Sequence, residues 1–391
     1  MKKIIFGLQT MVMGGVEKEL ISILRHLDTK EWDITLVLMY IIDQTVVDMI
    51  PDYVKVINLN IDKEYYCSDT ITACRLRLKK GKIREALTLI TKKTLRIGQT
   101  GSNVNIKEIP TIDDHFDTAV CFHMHSPLMV RYIAEKISAC KKIAWIHNDF
   151  STSGYRPDKI INYLSKYDDI IGVSSQITEE FRELCPQLSS KTKIVYNALD
   201  RDEIEAKSEE AIDSDFMKIL KNRLFLLTVG RMEEQKGYDT ALKTALLLKS
   251  KGLSFLWAFI GDGSKMSEIQ NQIAECGLEN EIFILGRKDN PYPFMKQCDI
   301  YVQPSRHEGY CLTVIEAKLL EKVIVCTDFT GVREQINDGK NGIIVSRDNP
   351  EVLADAIICI NDDKVKQVLF RSVLNSEKNS YTGFNNIISN L

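Results

Sequence analysis

The sequence lacks the patterns that would mark a membrane-spanning, secreted or metal-binding protein. Nowhere in its length is there a run of about 18 uninterrupted apolar residues, which a transmembrane helix needs. The opening segment MKKIIFGLQT returns to polar residues too early for the apolar core of a signal peptide. The ten cysteines are scattered without a C-x-x-C pair, so neither a zinc ribbon nor a redox dithiol is indicated. We therefore expect reduced thiols and a cytoplasmic location.

A strong net charge and the common nucleotide-binding loops are also missing. A net charge of −3 gives the chain no overall attraction to nucleic acid or membrane. The glycine turn in 11-MVMGGVEKE follows an apolar run, but no third glycine and no G-K-[ST] follow it. A dinucleotide fingerprint and a P-loop therefore both lose support. Gly14 and Gly15 form either a plain turn or a place where the backbone closely approaches a ligand.

Short apolar runs alternate with amphipathic helical patterns through the C-terminal half. Runs that are apolar throughout, with helices between them, are typical of a parallel sheet covered on both faces. Right-handed crossovers would then produce a doubly wound, Rossmann-like domain. The runs are 223-RLFLLTVG, 255-FLWAFIG, 281-EIFILG, 299-DIYVQPS, 323-VIVCT and 342-GIIVS.

The N-terminal half follows the same α/β pattern less regularly. After a first strand in KKIIFGLQ and a helix in 16-VEKELISILRHL, strands are predicted at 33-DITLVLMY, 54-VKVINL, 117-DTAVCFHM, 141-KKIAWIH, 169-DIIGVS and 193-KIVYN. The acidic stretch 200-DRDEIEAKSEEAIDSDF is interpreted as a linker, which divides the chain into domains 1–200 and 201–391. Two such domains in tandem usually bind a ligand in the cleft between them.

Two glutamates, Glu308 and Glu316, lie in the stretch 302-VQPSRHEGYCLTVIEAKLL. A glycine after the apolar strand puts Glu308 in a strand-to-helix loop, and a helix that begins near Leu312 puts Glu316 one turn inside it. Both side chains can then line the mouth of the sheet, where the N–H groups of residues 310–312 would form an anion site. The alternative for Glu316 is a solvated charge on a helix surface.

Two cations follow the first strand of the C-terminal half. In 228-TVGRMEEQKGYDT, Arg231 and Lys236 flank a loop between a strand and a helix. Cations at the carboxyl end of a parallel strand suit a diphosphate, with arginine as a fork and lysine as a point charge. The alternative is a pair of ordinary loop charges.

Histidines alternate in 121-CFHMHSP, where His123 and His125 would share one face of a strand. A metal site would need a third ligand, for which His147 or Asp149 in WIHNDF are candidates. The favoured interpretation is that one histidine is a core residue and that His125, nearer the end of the strand, reaches the cleft.

The segment 75–96 is strongly basic, with nine Lys or Arg against a single Glu. Leucine and isoleucine recur between the cations at helical spacing, as on an interfacial helix that faces anionic lipid. The alternative is a solvated helix face, while nucleic acid is disfavoured because no aromatic platform is interleaved. A D-x-D at Asp213 and Asp215 is interpreted as solvated linker charge.

Taken in order, these patterns resemble the retaining glycosyltransferases of family 4, which have the GT-B fold of two facing Rossmann-like domains with parallel sheets and an interdomain cleft. The match is specific over about 225–360 and looser over 1–200. It is carried by MGGVEKEL, HMHSP, VYNALD, VGRMEEQKG, IGDG, EGYCLTVIEA with the family's E-x7-E, and TGVREQINDGKNGIIV.

The resemblance implies roles for the residues that match. Arg231 and Lys236 would hold the donor diphosphate and stabilise charge as the nucleotide leaves. Glu316 corresponds to the glutamate that binds the ribose, and the segment Gly286 to Lys288 would cradle the base. The implied catalytic set is Arg231, Lys236, Glu308 and His125, the last two near the reacting sugar. The implied donor-binding set is Gly14, Gly15, Arg231, Lys236, Arg287, Glu308, Gly309, Tyr310, Cys311, Leu312 and Glu316.

The implied reaction is transfer of a hexose, with retention, from a nucleoside diphosphate sugar such as a UDP-sugar. The acceptor would be a hydroxyl of a glycan or lipid-linked molecule in bacterial capsule or lipopolysaccharide assembly, and neither a metal nor another cofactor would be needed. The N-terminal domain would bind the acceptor, with the last helix of the chain a candidate to pack back on it. Residues 75–96 would place the protein at the inner face of the membrane.

Two other functions stay open at this point. A nucleotide-sugar epimerase could use the same architecture, although E-x7-E and R-x4-K argue against it. A non-catalytic sugar-nucleotide-binding partner of another transferase would bind the donor without turnover.

Overall fold

Two parallel sheets, each in its own compact unit, organise the chain. The computed structural model describes residues 1–12, 14–61, 78, 106, 109–150, 155–377 and 384–391. The first domain comprises Met1–Asn197 with Phe384–Leu391, and the second comprises Ala198–Gly383. The division therefore falls close to the boundary that the sequence predicts at residue 200.

The first domain contains a seven-stranded sheet in the order β3-β2-β1-β4-β5-β6-β7. All of its strand pairs are parallel. The strands are β1 (Lys2–Leu8), β2 (Trp32–Leu38), β3 (Lys55–Asn58), β4 (His115–Cys121), β5 (Ser138–Ile146), β6 (Asp169–Gly172) and β7 (Thr192–Ile194). The helices that the structure describes in this domain are α1 (Gly15–His26), α2 (Gln44–Val47), α3 (Pro127–Lys136), α4 (Ile161–Leu164) and α5 (Ser175–Leu184), with short 3-10 helices at Pro157–Ile160 and Pro186–Lys191.

The C-terminal end of the chain packs on the first domain, around a terminal helix at Asn385–Ile388. The Thr118 hydroxyl donates to the carbonyl oxygen of Leu391 at 2.9 Å. The ring of Phe384 stacks on His26 with centroids 3.8 Å apart. These contacts anchor the end of the chain to strand β4 and helix α1, although the segments are distant in sequence.

The second domain contains a six-stranded parallel sheet in the order β10-β9-β8-β11-β12-β13. Its strands are β8 (Leu224–Val229), β9 (Phe255–Ile260), β10 (Ile282–Gly286), β11 (Ile300–Gln303), β12 (Val323–Thr327) and β13 (Ile343–Val345). Its helices are α6 (Arg201–Ser208), α7 (Ser214–Leu220), α8 (Tyr238–Ser250), α9 (Met266–Glu275), α10 (Tyr292–Gln297), α11 (Leu312–Leu319), α12 (Val332–Gln335), α13 (Pro350–Asp362) and α14 (Lys364–Glu377), with a 3-10 turn at Glu234–Lys236.

Both faces of this second sheet are buried, which explains why its strands are apolar throughout. Leu226 and Trp257 belong to a core cluster on one face, whereas their neighbours Leu227 and Ala258 belong to a cluster on the other. Successive residues of a strand point to opposite faces, so each apolar run supplies both cores. The predicted fold class, two Rossmann-like domains with parallel sheets, is therefore confirmed.

The acidic stretch after residue 200, interpreted as a linker at the domain boundary, forms two helices of the second domain. Asp200 accepts a hydrogen bond from the backbone N–H of Glu203 and caps α6. Asp213 accepts from the N–H of Asp215 and caps α7 in the same way. The acidic residues thus begin helices, because carboxylates satisfy free N–H groups at helix starts. Buried Ile204 anchors α6 to the domain.

Each sheet has one point where the chain reverses its direction of growth, and ligands bind at such points in open α/β sheets. In the first domain it lies between β1 and β4, and in the second between β8 and β11.

The described part of the chain contains no helix with the length and apolarity of a membrane span. The basic segment 75–96 lies outside the described residues, Leu78 excepted.

Candidate functional site

The candidate site of the second domain is built from the loops that follow β8 and β11. These strands are hydrogen-bonded neighbours, with Ile300 paired to Leu226. The loops therefore leave the sheet side by side at its reversal point, although about 70 residues separate them in sequence. One loop carries Lys236 and the other carries Glu308.

Lys236 and Glu308 form a buried ion pair, with Nζ 2.5 Å from Oε1. Only 13% of the lysine side chain and 9% of the glutamate side chain are exposed. Burial lowers the pKa of Lys236, but the charge of Glu308, the nearby Cys311 and the hydrogen bond to Glu308 together raise it by more, so the net direction is upward. The lysine is thus a cation at neutral pH, held at the carboxyl ends of two adjacent strands.

Backbone contacts fix the loop that carries Lys236 against the loop that carries Glu308. Gly237 has a φ of +67°, and a Cβ on it would lie 2.0 Å from the carbonyl oxygen of Pro304. Only glycine permits this approach, because it lacks a Cβ and adopts positive φ freely. The Gln235 side-chain amide also donates to the His307 carbonyl at 2.7 Å.

Arg306 adds a second connection between the same loops. Its guanidinium donates to both carboxylate oxygens of Asp239, at 2.8 and 2.7 Å, and Nε lies 2.7 Å from Asp348. Such a two-pronged contact defines orientation as well as distance. Asp239 is in the first turn of α8, so the helix that follows Lys236 is tied to the residue that precedes the His307–Glu308 turn.

Behind the ion pair lies a buried chain of polar side chains that the sequence analysis missed. The Tyr301 hydroxyl donates to Gln303 Oε1 at 2.6 Å, and Gln303 Nε2 donates to Ser305 Oγ at 2.8 Å. Ser305 then donates its single proton to Glu308 Oε1 at 2.6 Å. Because every side chain in this series has a hydrogen-bond partner, Glu308 Oε1 accepts from Ser305 and also accepts a hydrogen bond from Lys236. The available signal was the polar Gln303 and Ser305 at the end of an otherwise apolar strand.

Arg231 is exposed in the loop after β8, where the IGDG turn brings two backbone segments together. The Met232 N–H donates to the Asp262 carbonyl at 2.7 Å. A Cβ on Gly261 would lie 1.9 Å from the Gly230 carbonyl oxygen, so the IGDG turn packs directly on the start of this loop. The close contact sets the position from which the Arg231 side chain extends.

The loop between Glu308 and α11 is clamped by Gln335. The Cys311 N–H donates to Gln335 Oε1 at 3.3 Å, and Gln335 Nε2 donates back to the Cys311 carbonyl at 3.0 Å. The expectation that the N–H groups of residues 310–312 all face an anion is therefore corrected for Cys311, whose N–H is used internally. Burial raises the pKa of the Cys311 thiol to about 12, so it stays a neutral thiol. Gly309 is buried in this loop, and Leu312 is buried at the start of α11.

Glu316 is 1% exposed in α11, which begins at Leu312 as the sequence predicts. The alternative of a solvated helix charge is therefore wrong. The Tyr292 hydroxyl donates to Glu316 Oε1 at 3.1 Å. No sequence pattern pointed to Tyr292, because it lies 24 residues away in a different helix.

The predicted base-cradling segment begins at the end of β10, and the D-x-D lies at the start of α7. Gly286 ends β10 with a φ of +67°, and Arg287 after it is exposed with Nε 3.9 Å from Asp289. Asp215 contacts Lys218 at 2.7 Å on an exposed helix turn, in agreement with its interpretation as a solvated charge.

In the first domain, the glycine turn and the histidine segment follow β1 and β4, the strands at its reversal point. Gly14 caps α1 and Gly15 begins it. His123 and His125 do not alternate along a strand, because β4 ends at Cys121. Ser126 caps α3 through a hydrogen bond to the Met129 N–H, so the histidines lie in the connecting loop.

His125 is held by aromatic rings and one backbone contact. Its ring stacks on Phe150 at 5.1 Å between centroids, and its Nε2 lies 3.3 Å from the Asp149 carbonyl oxygen. Burial lowers the pKa of His125 to about 4, so the imidazole is neutral at pH 7. It can therefore take part in hydrogen bonds there but carries no charge.

A buried acid–imidazole pair, also absent from the sequence analysis, lies beneath this loop. Glu19 of α1 has Oε2 3.4 Å from His147 Nδ1, and both side chains are buried. Burial raises the pKa of Glu19 and lowers that of His147, which favours two neutral groups. The His123 and His147 rings are 6.1 Å apart. Among the residues that the structure describes, no group of three or more His, Cys, Asp or Glu is arranged to hold a metal ion.

Comparison with known proteins relates the second domain to one enzyme family. Residues 210–372 match the family model of the glycosyl transferases group 1. An uncharacterized glycosyltransferase of Methanocaldococcus jannaschii is 32% identical over 203 residues, which are 50% of this chain and 50% of that protein. The N-acetylgalactosamine-N,N'-diacetylbacillosaminyl-diphospho-undecaprenol 4-alpha-N-acetylgalactosaminyltransferase of Campylobacter jejuni is 30% identical over 179 residues, 45% of this chain and 46% of that one. The chain thus spans about half the length of these curated relatives.

Solved structures extend the similarity to the whole chain at the level of fold. A glycosyltransferase from Rickettsia africae has a TM-score of 0.72 at 17% identity, covering 100% of this chain and 96% of that one. Anabaena HepE in complex with UDP and glucose has a TM-score of 0.70 at 17% identity, covering 100% and 99%. The Rickettsia protein is a glycosyltransferase, and both neighbours share the fold of this chain over its whole length.

Proposed function

We propose that this chain, whose residues 210–372 match the family model of the glycosyl transferases group 1, is a retaining glycosyltransferase that moves a hexose from a nucleoside diphosphate sugar to a hydroxyl group. The observation that carries the proposal is the Lys236–Glu308 pair at the reversal point of the second sheet. A fixed cation and a fixed carboxylate there suit a ligand that is anionic at one end and rich in hydroxyls at the other.

The proposed chemistry assigns the departing diphosphate to Lys236 and Arg231. As the bond between the sugar C1 and the phosphate oxygen breaks, negative charge grows on the leaving diphosphate, and these two cations stabilise it. Because the protein supplies this positive charge, we propose that no metal ion takes part. Lys236 needs no rearrangement to act, since it is already pinned by Glu308.

Retention follows if the acceptor oxygen bonds to C1 on the face that the diphosphate leaves. The proton of the acceptor hydroxyl then passes to the departing phosphate oxygen, so atoms and charge balance without a protein base. Glu308 would accept hydrogen bonds from the donor sugar, and neutral His125 would hydrogen-bond near the reacting carbon. Gly14 and Gly15 would allow close approach of backbone to phosphate.

The proposed donor carries uridine, and the remaining donor contacts come from the loop after β11. Gly309, Tyr310 and Leu312 would contact the sugar and phosphates, with Cys311 shaping the loop through its bonds to Gln335. Arg287 would lie along the base. Glu316 would bind the ribose.

The proposed acceptor is a glycan or lipid-linked hydroxyl in bacterial surface polysaccharide assembly. The name of the Campylobacter relative specifies an acceptor on diphospho-undecaprenol, which supports a lipid-linked acceptor here. The basic segment 75–96 would bind the protein to an anionic membrane, which is where a lipid-linked acceptor is found.

This membrane contact can be tested by vesicle pelleting. Replacing Lys79, Lys80 and Lys82 by glutamate should abolish pelleting with phosphatidylglycerol vesicles, and persistent pelleting would reject membrane contact.

A thermal-shift screen of UDP-, GDP- and ADP-sugars tests the proposal first. A bound ligand stabilises the fold in proportion to its occupancy, so one nucleotide series should raise the melting temperature. Lys236→Ala should then mainly lower turnover with an undecaprenyl-linked acceptor, because its charge matters most as the leaving group develops charge. Lys251→Ala is the matched control, since that lysine is exposed and pairs with Asp355 on the surface.

The alternatives give different results in the same assay. Isomerisation of the donor sugar without acceptor would indicate an epimerase. Donor binding without transfer to any lipid-linked or glycan acceptor would indicate a non-catalytic partner. Normal kinetics in both Lys236→Ala and Glu316→Ala would refute this placement of the site.

A further inference from the structure

The hydrogen bond between Tyr292 and Glu316 joins two helices at the edge of the candidate site. Tyr292 is the first residue of α10, and Glu316 lies in the second turn of α11. The hydroxyl and Oε1 are 3.1 Å apart. With a side chain that is almost wholly buried, Glu316 depends on hydrogen-bond donors of the protein for its orientation.

The direction of this hydrogen bond is set by the chemistry of the two groups. An ionised carboxylate can only accept, so the phenol donates. Burial, followed by the negative charge of Glu316, raises the pKa of Tyr292, so the phenol keeps its proton throughout the neutral range. Tyr292 is therefore a permanent donor to Oε1.

The tyrosine is itself fixed on two sides. Its backbone N–H donates to Asn290 Oδ1 at 3.1 Å, and Asn290 Nδ2 donates to the Lys207 carbonyl at 2.8 Å. Its ring packs on the apolar cluster that includes Leu312 and Ile315 of α11. An aromatic side chain has few rotatable bonds, so these contacts leave the hydroxyl in one place.

We propose that Tyr292 is a positioning residue that orients the Glu316 carboxylate toward the ribose hydroxyls of the bound nucleotide. The inference rests on the proposed function, which assigns the ribose to Glu316. A carboxylate offers about four acceptor sites, so one donor from Tyr292 leaves capacity for two ribose hydroxyls. A site built to accept from hydroxyls discriminates against ligands that lack them, because its buried acceptor is then left unsatisfied. Tyr292 thus sets the preference for ribose, whichever base the nucleotide carries.

The test uses the full chain and measures nucleotide affinity by calorimetry. UDP, ADP and GDP are titrated first, and the tightest ligand is compared with its 2′,3′-dideoxy analogue. Tyr292→Phe removes only the hydroxyl and should weaken the ribonucleotide about 3- to 10-fold, the equivalent of one hydrogen bond. It should leave the affinity for the dideoxy analogue unchanged, since that ligand has no ribose hydroxyls that could donate a hydrogen bond to Glu316.

Two further variants separate positioning from a general structural effect. Tyr132→Phe is the matched control, because that buried hydroxyl donates to the Pro110 carbonyl at 3.0 Å in the first domain. It should change neither affinity. In a Glu316→Ala background, Tyr292→Phe should have no further effect on the ribonucleotide, because Tyr292 acts through the carboxylate.

Three results would overturn the inference. Equal weakening of the ribonucleotide and the dideoxy analogue by Tyr292→Phe would show a structural role alone. An unchanged ribonucleotide affinity in Tyr292→Phe, with Glu316→Ala impaired, would overturn the positioning role and leave the proposed function standing. If the wild-type chain binds none of the three nucleotides, the proposed function is overturned, and this inference with it.

Discussion

The Lys236–Glu308 ion pair should behave as a buried pair whose partners depend on each other for stability. Lys236→Met leaves the Glu308 carboxylate in a poorly solvated place with the Ser305 hydroxyl as donor. Removing one partner of a buried pair costs about 3–5 kcal/mol, and with 13% and 9% of the side chains exposed we expect the lower end of that range. Glu308→Leu should cost a similar amount, since it leaves the ammonium group buried instead.

Replacing both residues tests the coupling directly. The double variant carries no buried charge at this place, so it should cost at least about 2 kcal/mol less than the sum of the two single changes. The pKa of Lys236 is raised, so the pair's contribution is complete below the ordinary lysine value of 10.5 and is lost as pH rises through the folded-state pKa. The cycle is therefore measured at pH 7.

An exposed pair in the same domain supplies the control. Lys251 and Asp355 are also joined at 2.5 Å, but 48% and 65% of their side chains are exposed. Pairs of that kind contribute about 0–1 kcal/mol. Lys251→Met should therefore leave the stability of the second domain nearly unchanged.

Unfolding of the second domain can be followed separately from the first. Trp257 lies in the core of the second domain, whereas Trp32 and Trp145 belong to the first. Replacing Trp32 and Trp145 by phenylalanine leaves Trp257 as the only tryptophan, and its fluorescence in urea gives the unfolding free energy. Additive losses in the cycle, or equal losses in Lys236→Met and Lys251→Met, would refute the reasoning.

Three further predictions concern single residues. Gly237→Ala should destabilise the second domain by about 2 kcal/mol or more, because alanine is strained at positive φ and its Cβ would clash with the Pro304 carbonyl; an unchanged urea midpoint would contradict this. Glu19→Gln should stabilise the first domain more at pH 8 than at pH 5. Burial raises the pKa of Glu19, so the folded domain keeps a proton that the unfolded chain releases above pH 4.5. Equal effects on thermal unfolding at pH 5 and pH 8 would count against it. The first domain should lose up to roughly 3 kcal/mol as pH falls from 6.5 to 4, because buried His125 takes up a proton only near pH 4 whereas the unfolded histidine does so at 6.5. His125→Asn should make the pH profile shallower but leave the part that buried His147, whose pKa is also lowered, contributes; an unaltered pH profile would disprove it.

The sequence predicted most of the fold because the fold is encoded by local periodicity. Each of the thirteen strands in the described part of the chain overlaps a run identified from sequence, and the strands that are buried on both faces are apolar along their whole length. Glycine after β11 and the helical pattern after it were enough to separate Glu308 from Glu316 into loop and helix. The two helices in the acidic stretch were missed because Asp200 and Asp213 were counted as charge rather than as helix caps.

The sequence could not predict which side chains meet, because contacts between distant segments depend on strand order. That β8 neighbours β11 is a property of the assembled sheet, and only this pairing brings Lys236 to Glu308. The same holds for Tyr292, whose hydroxyl meets Glu316 through the packing of two helices. Gln335 reaches Cys311 from beyond β12, which no spacing rule indicates.

By itself, the sequence determined that this chain forms two doubly wound domains and which residue types stand at the ends of their strands. Hydrophobic period and glycine placement suffice for that, because both act over a few residues. The tertiary structure alone decided which of those residues are charged partners, which are buried and which are oriented by a neighbour. Burial and hydrogen bonding depend on everything that surrounds a group, and for Glu316 those surroundings excluded the alternative of a solvated surface charge.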